Sequence, residues 1–207
     1  MINTTIYIDE SEVKRRLGVL ESQSDKVIAR AANRAYVTGR SAIAKEAGKD
    51  YLVTRNDVNN SKVLKITKAT ASKPTAVLDY KGQHRNLYLW NNKKAVTPNK
   101  VIHWSHGEPN VKVYKAAVRR GHGRTELTGE NKPFIQSVRG GSFTGLFRRQ
   151  YRQYTARREK LVGVGAPAIP QIVKNDRVMA QFRNSAGPML QKRLEHEIKR
   201  VLEGGSP

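Results

Sequence analysis

Residues 24–48, SDKVIARAANRAYVTGRSAIAKEAG, constrain this chain more than any other stretch. Val27, Ile28, Ala31, Ala35, Gly39, Ala42, Ile43 and Ala47 recur at helical spacing and trace one face. Arg30, Arg34, Arg40 and Lys45 lie off that face. Ser24 or Asp25 can cap the start, and Gly48 marks the end. At ~1.5 Å per residue the helix is roughly 35 Å long. Its apolar face is mostly alanine and glycine, which bury little area per position but let a neighbour come close. Such a helix wants a large, flat partner, either within the chain or in a second subunit. Ala31, Ala35, Gly39 and Ala42 are therefore the candidate positions for self-association or close packing.

The period changes on either side of a strand-rich middle. Before the helix, residues 4–8 (TTIYI) suit a short strand, and Asp9, Glu10 and Ser11 suit a helix start with Val13, Leu17 and Leu20 on one face. A shorter helix from Thr54 would use Val58 and Val63. Strands are expected at residues 74–80, 86–90, 111–118, 134–138, 145–147 and 161–164. Their close spacing predicts one antiparallel sheet of four to six strands. A long loop is expected at about 91–110 and a basic loop at about 148–160. Residues 178–201 return to helical spacing, with a kink or a fresh helix start at Gly187–Pro188, and residues 204–207 should be a disordered tail. The fold class is α+β: long N-terminal helices, a mainly antiparallel sheet, and a C-terminal helix packed against it. One domain spanning 1–203, or one core with a long excursion, fits the length.

Lysine and arginine total 39 against 17 acids, a formal net charge of +22. That balance speaks to partners: nucleic acid, an acidic protein or an anionic membrane. The apolar runs are far shorter than the ~20 residues of a membrane span. The first ten residues lack the basic and apolar regions of a signal peptide, so a soluble intracellular protein is expected. No cysteine is present, which excludes disulfides, thiolate nucleophiles and cysteine-ligated metal.

Catalytic signals are thin. His103, His106 and Glu108 could in principle hold zinc, but they sit in a loop-like stretch with no further ligand cluster, and no metal site is expected. His122, between two glycines, could serve as a general base in a small ribonuclease, or simply form a turn. No nucleophile elbow, Walker-type loop or paired-carboxylate motif occurs, and no acid lies between Glu130 and Glu159. Two-metal nucleases need clustered acids, so that class is disfavoured.

Between Arg148 and Lys160 there are six basic residues and one acid, Glu159. Arg148, Arg149, Arg152, Arg157 and Arg158 interleave with Tyr151 and Tyr154. Arginine among aromatics suits phosphate contact with base stacking, or docking on an acidic protein, or a merely solvated face. No DNA- or RNA-binding motif accompanies the block, so sequence-specific recognition is not indicated.

The order of parts resembles the bacteriophage minor tail protein Z family, the tail completion proteins of long-tailed phages. The likeness rests on the helix IARAANRAYVTGRSAIAKEA, a strand-rich middle, the strand GLFRRQ, the segment EKLVGVGAPAIPQIV and a terminal helix. It covers about residues 27–202, with Glu159–Lys160–Leu161–Val162 standing where the family has an Arg-Leu-Pro-Ile type run. The resemblance implies a structural virion protein without catalysis or cofactor, at the head-proximal end of the tail, assembled in the bacterial host cytoplasm. It also implies a ring of copies, six-fold from tail symmetry, beside tail terminator, tail tube or neck proteins and packaged DNA. The alternative is a nonspecific nucleic-acid-binding protein or small basic nuclease.

Overall fold

The computed structural model describes residues 2–5, 8–90, 93–102, 111–128, 132–155 and 158–204, with backbone alone at 3, 100–102, 111, 151–155 and 158–159. In place of one domain, the chain divides into two compact units. The first combines Met1–Ala47, Arg55–Gly82 and Ile169–Pro207; the second combines Gly48–Thr54 and Gln83–Ala168. The strand-rich middle is an excursion that closes its own core.

The first unit holds strand β1 (Ile2–Thr5) and helices α1 (Glu10–Leu17), α2 (Ser24–Asp50, whose last residues belong to the second unit) and α3 (Arg55–Asn59). It adds strands β2 (Leu64–Thr67) and β3 (Val77–Tyr80) and helices α4 (Ile169–Val173) and α5 (Asp176–Leu202). Asp9 caps α1, its carboxylate accepting from the backbone N–H groups of Ser11 at 3.0 Å and Glu12 at 3.4 Å. Val13 and Leu17 then bury with Val27, Ile28, Ile198 and Val201 in one cluster spanning α1, α2 and α5. Each such aliphatic side chain contributes ~1.5–3 kcal/mol when fully buried.

All eight face positions of α2 named from the sequence are buried. Their partner is not a sheet. Helix α5 lies antiparallel along α2: Arg30 pairs with Glu197 at 3.7 Å, Gly39 faces Phe182 and Ala186, and Glu46 pairs with Arg177 at 3.0 Å. A Cβ built on Gly39 would fall 2.6 Å from Phe182 Cδ2, so the ring occupies the space that a larger residue would need. The C-terminal helix thus packs on helices where a sheet was expected, because an aromatic knob fills the hole left by small residues. Helix α5 also runs unbroken through Pro188. The carbonyl of Asn184, which loses its donor there, sits on the exposed side, where water can satisfy it.

Sheet β1-β3-β2 completes this unit, with Ile2 and Leu64 both opposite Tyr80. Leu78 and Tyr80 alternate inward along β3. Burial raises the Tyr80 phenol far above its usual range, against the opposing charge of Arg40.

The second unit holds β4 (Arg85–Asn86), β5 (Val96–Ile102), β6 (Val111–Ala116), β7 (Thr125–Glu126), β8 (Phe134–Val138), β9 (Phe143–Thr155), β10 (Arg158–Gly163) and β11 (Gly165–Ala166). Among the described residues every pairing is antiparallel, but the strands form four small sheets across the two units rather than one of four to six strands. Alternation identifies a strand; it does not name its partner. The expected loop at 91–110 contains β5, an edge strand whose Pro98 lies beside a register shift, the position at which proline is tolerated in a sheet. Residues 103–110, and with them His103, His106 and Glu108, lie outside the described residues. The expected strand at 86–90 is instead a 3-10 turn over Leu87–Leu89, because the Asn86 carboxamide accepts from Tyr88 N–H at 3.0 Å and turns the chain. Among the described residues no helix is long and apolar enough to cross a membrane.

Candidate functional site

The arginine block is not a loop. Its backbone forms the two arms of a β-hairpin, β9 and β10, with residues 156–157 outside the described set. Strand β8 pairs with β9 only from Val138 opposite Phe143 to Phe134 opposite Phe147. Beyond Phe147, β9 pairs with β10 alone: Arg148 faces Val162, Arg149 faces Leu161, and after a register shift Tyr154 faces Glu159. Residues 148–155 thus continue past the three-stranded sheet as a two-stranded arm. Eight residues at ~3.4 Å each reach roughly 27 Å.

The base of the arm is locked by Asn86. Its carboxamide oxygen accepts from Leu146 N–H at 2.9 Å and its amide donates to the Leu146 carbonyl at 2.9 Å, so a side chain occupies the place of a strand partner. Leu87 N–H donates to the Val164 carbonyl at 2.8 Å, and Val164 N–H to the Leu146 carbonyl at 2.9 Å. The fit demands glycine: a Cβ at Gly145 would stand 2.9 Å from Asn86 Nδ2, and one at Gly163 3.1 Å. Phe143 and Phe147 meet edge to face at 6.1 Å on the same strand.

Arg148 and Arg149 emerge from this base as exposed side chains. The Arg149 guanidinium lies 5.4 Å from the Phe134 ring centre, which directs it. With Gln150, Val162, Gly163, Val164 and Gly165 they line an open cleft of ≈ 410 Å³. Val162 is 37% exposed beside them, so the arm offers apolar as well as cationic contact. Tyr151, Arg152, Tyr154 and Arg158 continue along the hairpin backbone, and Arg157 lies outside the described residues. Exposed guanidinium groups on a held strand pair can clamp phosphate or carboxylate.

The remaining sequence candidates fall elsewhere. Ala31, Ala35, Gly39 and Ala42 are buried inside the first unit, where they serve close packing within the chain. His122 sits exposed in a turn after Gly121, whose φ is 77°. Among the described residues no group of three or more His, Asp or Glu is placed to hold a metal ion. Asn86, which positions the site, was read from the sequence only as the start of a strand; an asparagine in a strand-like run, with glycines far along the chain, was the available signal for its role.

Charge is unevenly divided. The second unit carries 18 Lys and Arg against 5 Asp and Glu, net +13, whereas the first carries 21 against 12, net +9, on a longer stretch of chain. Compared with protein-family models, curated proteins and solved structures, the chain matches none.

Proposed function

We propose that this chain is a structural bacteriophage virion protein, a minor tail or tail completion component at the head-proximal end of the tail. In this reading it is needed for tail completion and head–tail joining, and it acts without catalysis or cofactor. The observation that carries the reading is the basic hairpin arm. A strand pair reaching past its own sheet, with Arg148 and Arg149 at an open cleft beside the exposed Val162, is built for contact with another molecule. The arm begins in GLFRRQ, one of the stretches on which the phage resemblance rests. The chain would form a ring with itself and place the arm on a tail terminator, tail tube or neck protein, inside the virion.

The charge of the second unit favours a second reading, a nonspecific nucleic-acid-binding protein. The two separate by salt. Phosphate contacts weaken binding with a log–log slope of ~0.9 per phosphate neutralised and carry no sequence preference. A protein contact that includes the exposed Val162 keeps its apolar part at high salt. The test is light scattering after size exclusion, alone and with the phage tail terminator, on the parent and on Arg148→Glu/Arg149→Glu/Arg152→Glu. The parent should self-associate or bind the terminator, and the variant should stay folded and lose that association and tail completion. A variant that still completes infectious tails would remove the arm from the mechanism.

A further inference from the structure

Residues 119–124, RRGHGR, form a turn in the second unit, apart from the hairpin arm. The turn is tied to residues 48–54: Leu52 N–H donates to the Val118 carbonyl at 2.8 Å, and Arg120 N–H to the Asp50 carbonyl at 2.9 Å. Its guanidinium groups are held by neutral partners. Arg120 Nε donates to the Gly48 carbonyl at 3.0 Å, Arg124 Nη2 donates to the Lys94 carbonyl at 3.3 Å, and Arg119 lies 5.6 Å from the Tyr51 ring centre. Among the described residues none of the three is ion-paired, and all three are exposed. Each guanidinium has five N–H donors. One carbonyl or ring contact fixes its direction and leaves its charge and most of its donors available.

Beside the turn, in the same unit, is an open pocket of ≈ 480 Å³. Tyr51, Leu87, Ala116, Val118, Leu127 and Pro167 wall it, with Arg119 and His122 on the rim. A Cβ added at Gly121 or Gly123 would meet nothing within 4 Å, so the space above the turn is open to another chain. We infer that this pocket and the arginines of the adjoining turn dock an acidic segment of a partner protein. One aliphatic or aromatic side chain of that segment fills the pocket, and neighbouring carboxylates meet Arg119, Arg120 and Arg124. The uncompensated charge selects an acidic occupant. The mainly apolar walls, Leu87, Ala116, Val118, Leu127 and Pro167 with the Tyr51 ring, favour an apolar side chain. The site is separate from the arm and does not rest on the tail reading.

The probe is a fluorescent peptide rich in aspartate with one central leucine, titrated with the full chain near physiological salt. A control peptide carries serine in place of the leucine, and a single-stranded oligonucleotide of equal charge is run beside it. The leucine peptide should bind at least about tenfold tighter than the serine peptide, and Arg120→Glu/Arg124→Glu should weaken it about tenfold or more. Arg148→Glu/Arg149→Glu/Arg152→Glu should leave that binding unchanged. Because the serine control alters the peptide and not the protein, it reads the pocket even if a pocket substitution unfolds the chain. Equal binding of the two peptides, loss of binding in the arm variant, or oligonucleotide binding that alone responds to Arg120→Glu/Arg124→Glu would each overturn the assignment.

Discussion

Gly39→Ala decides whether α2 and α5 touch as described. In an exposed helix this change stabilises by ~1 kcal/mol, because alanine has less backbone entropy to lose. Here the added methyl would stand 2.6 Å from Phe182 Cδ2 and 3.2 Å from Ala186 Cβ. Phe182 is 5% exposed, so its ring has little room to withdraw. Overpacking of this kind costs ~1–3 kcal/mol. The two terms leave a net destabilisation of about 0–2 kcal/mol in place of the ordinary gain. Urea unfolding followed by circular dichroism should show a lower midpoint at unchanged slope. Phe182→Leu removes the obstructing ring at its own cost in buried surface. In the double variant the two costs should fall short of their sum by about 1 kcal/mol or more, the signature of residues in contact. Larger residues, as in Gly39→Leu or Ala35→Leu, should cost more again. If Gly39→Ala raised stability by the ordinary helix increment, the close approach of α5 to α2 would be refuted.

Asn86→Ala should unlock the base of the arm, since Leu146 N–H loses its partner, at a cost of ~1–3 kcal/mol. Hydrogen exchange at Leu146 should then accelerate, and Gly145→Ala should act in the same direction by displacing the Asn86 carboxamide. Unchanged protection in both variants would disprove the lock. The Asp9 cap predicts a pH response. The Ser11 hydroxyl, then the backbone N–H groups of Glu12 and Ser11, hold the Asp9 carboxyl below its ordinary value of 3.8. A depressed folded-state pKa means stabilisation that is present above the unfolded value and lost as pH falls through the folded one. Protection of the Ser11 and Glu12 amides should therefore fall in that acid range, and Asp9→Asn should flatten the profile; an identical profile in the variant counts against the cap.

Helix α2 was legible because burial follows a 3.6-residue period, and a face of eight positions leaves little room for another register. The α1 cap was legible because Asp9 precedes an apolar pair, Val13 and Leu17, at helical spacing. What stayed hidden were choices between distant partners. Nothing local to Gly39 names Phe182, and nothing local to Leu146 names Asn86. The arm read as a loop because arginine and glutamine replace the alternating apolar pattern once only one neighbouring strand remains. Strand β5 was missed for a related reason, since Pro98 is a breaker everywhere except at an edge.

The discontinuity of the first unit has a consequence for synthesis. Helix α2 must wait for α5, and the whole segment from Gln83 to Ala168 emerges from the ribosome in between. At about 5–20 residues per second that is a delay of several seconds, during which Gly39 of α2 lacks its Phe182 and Ala186 contacts. The second unit can close during the wait, since nearly all of it is contiguous in the chain. Its flanks also rejoin closely within the first unit: a Cβ on Gly82 would lie 3.6 Å from Pro170 Cδ. If the second unit closes first, its net +13 repels neighbouring copies while α2 still lacks its α5 contacts.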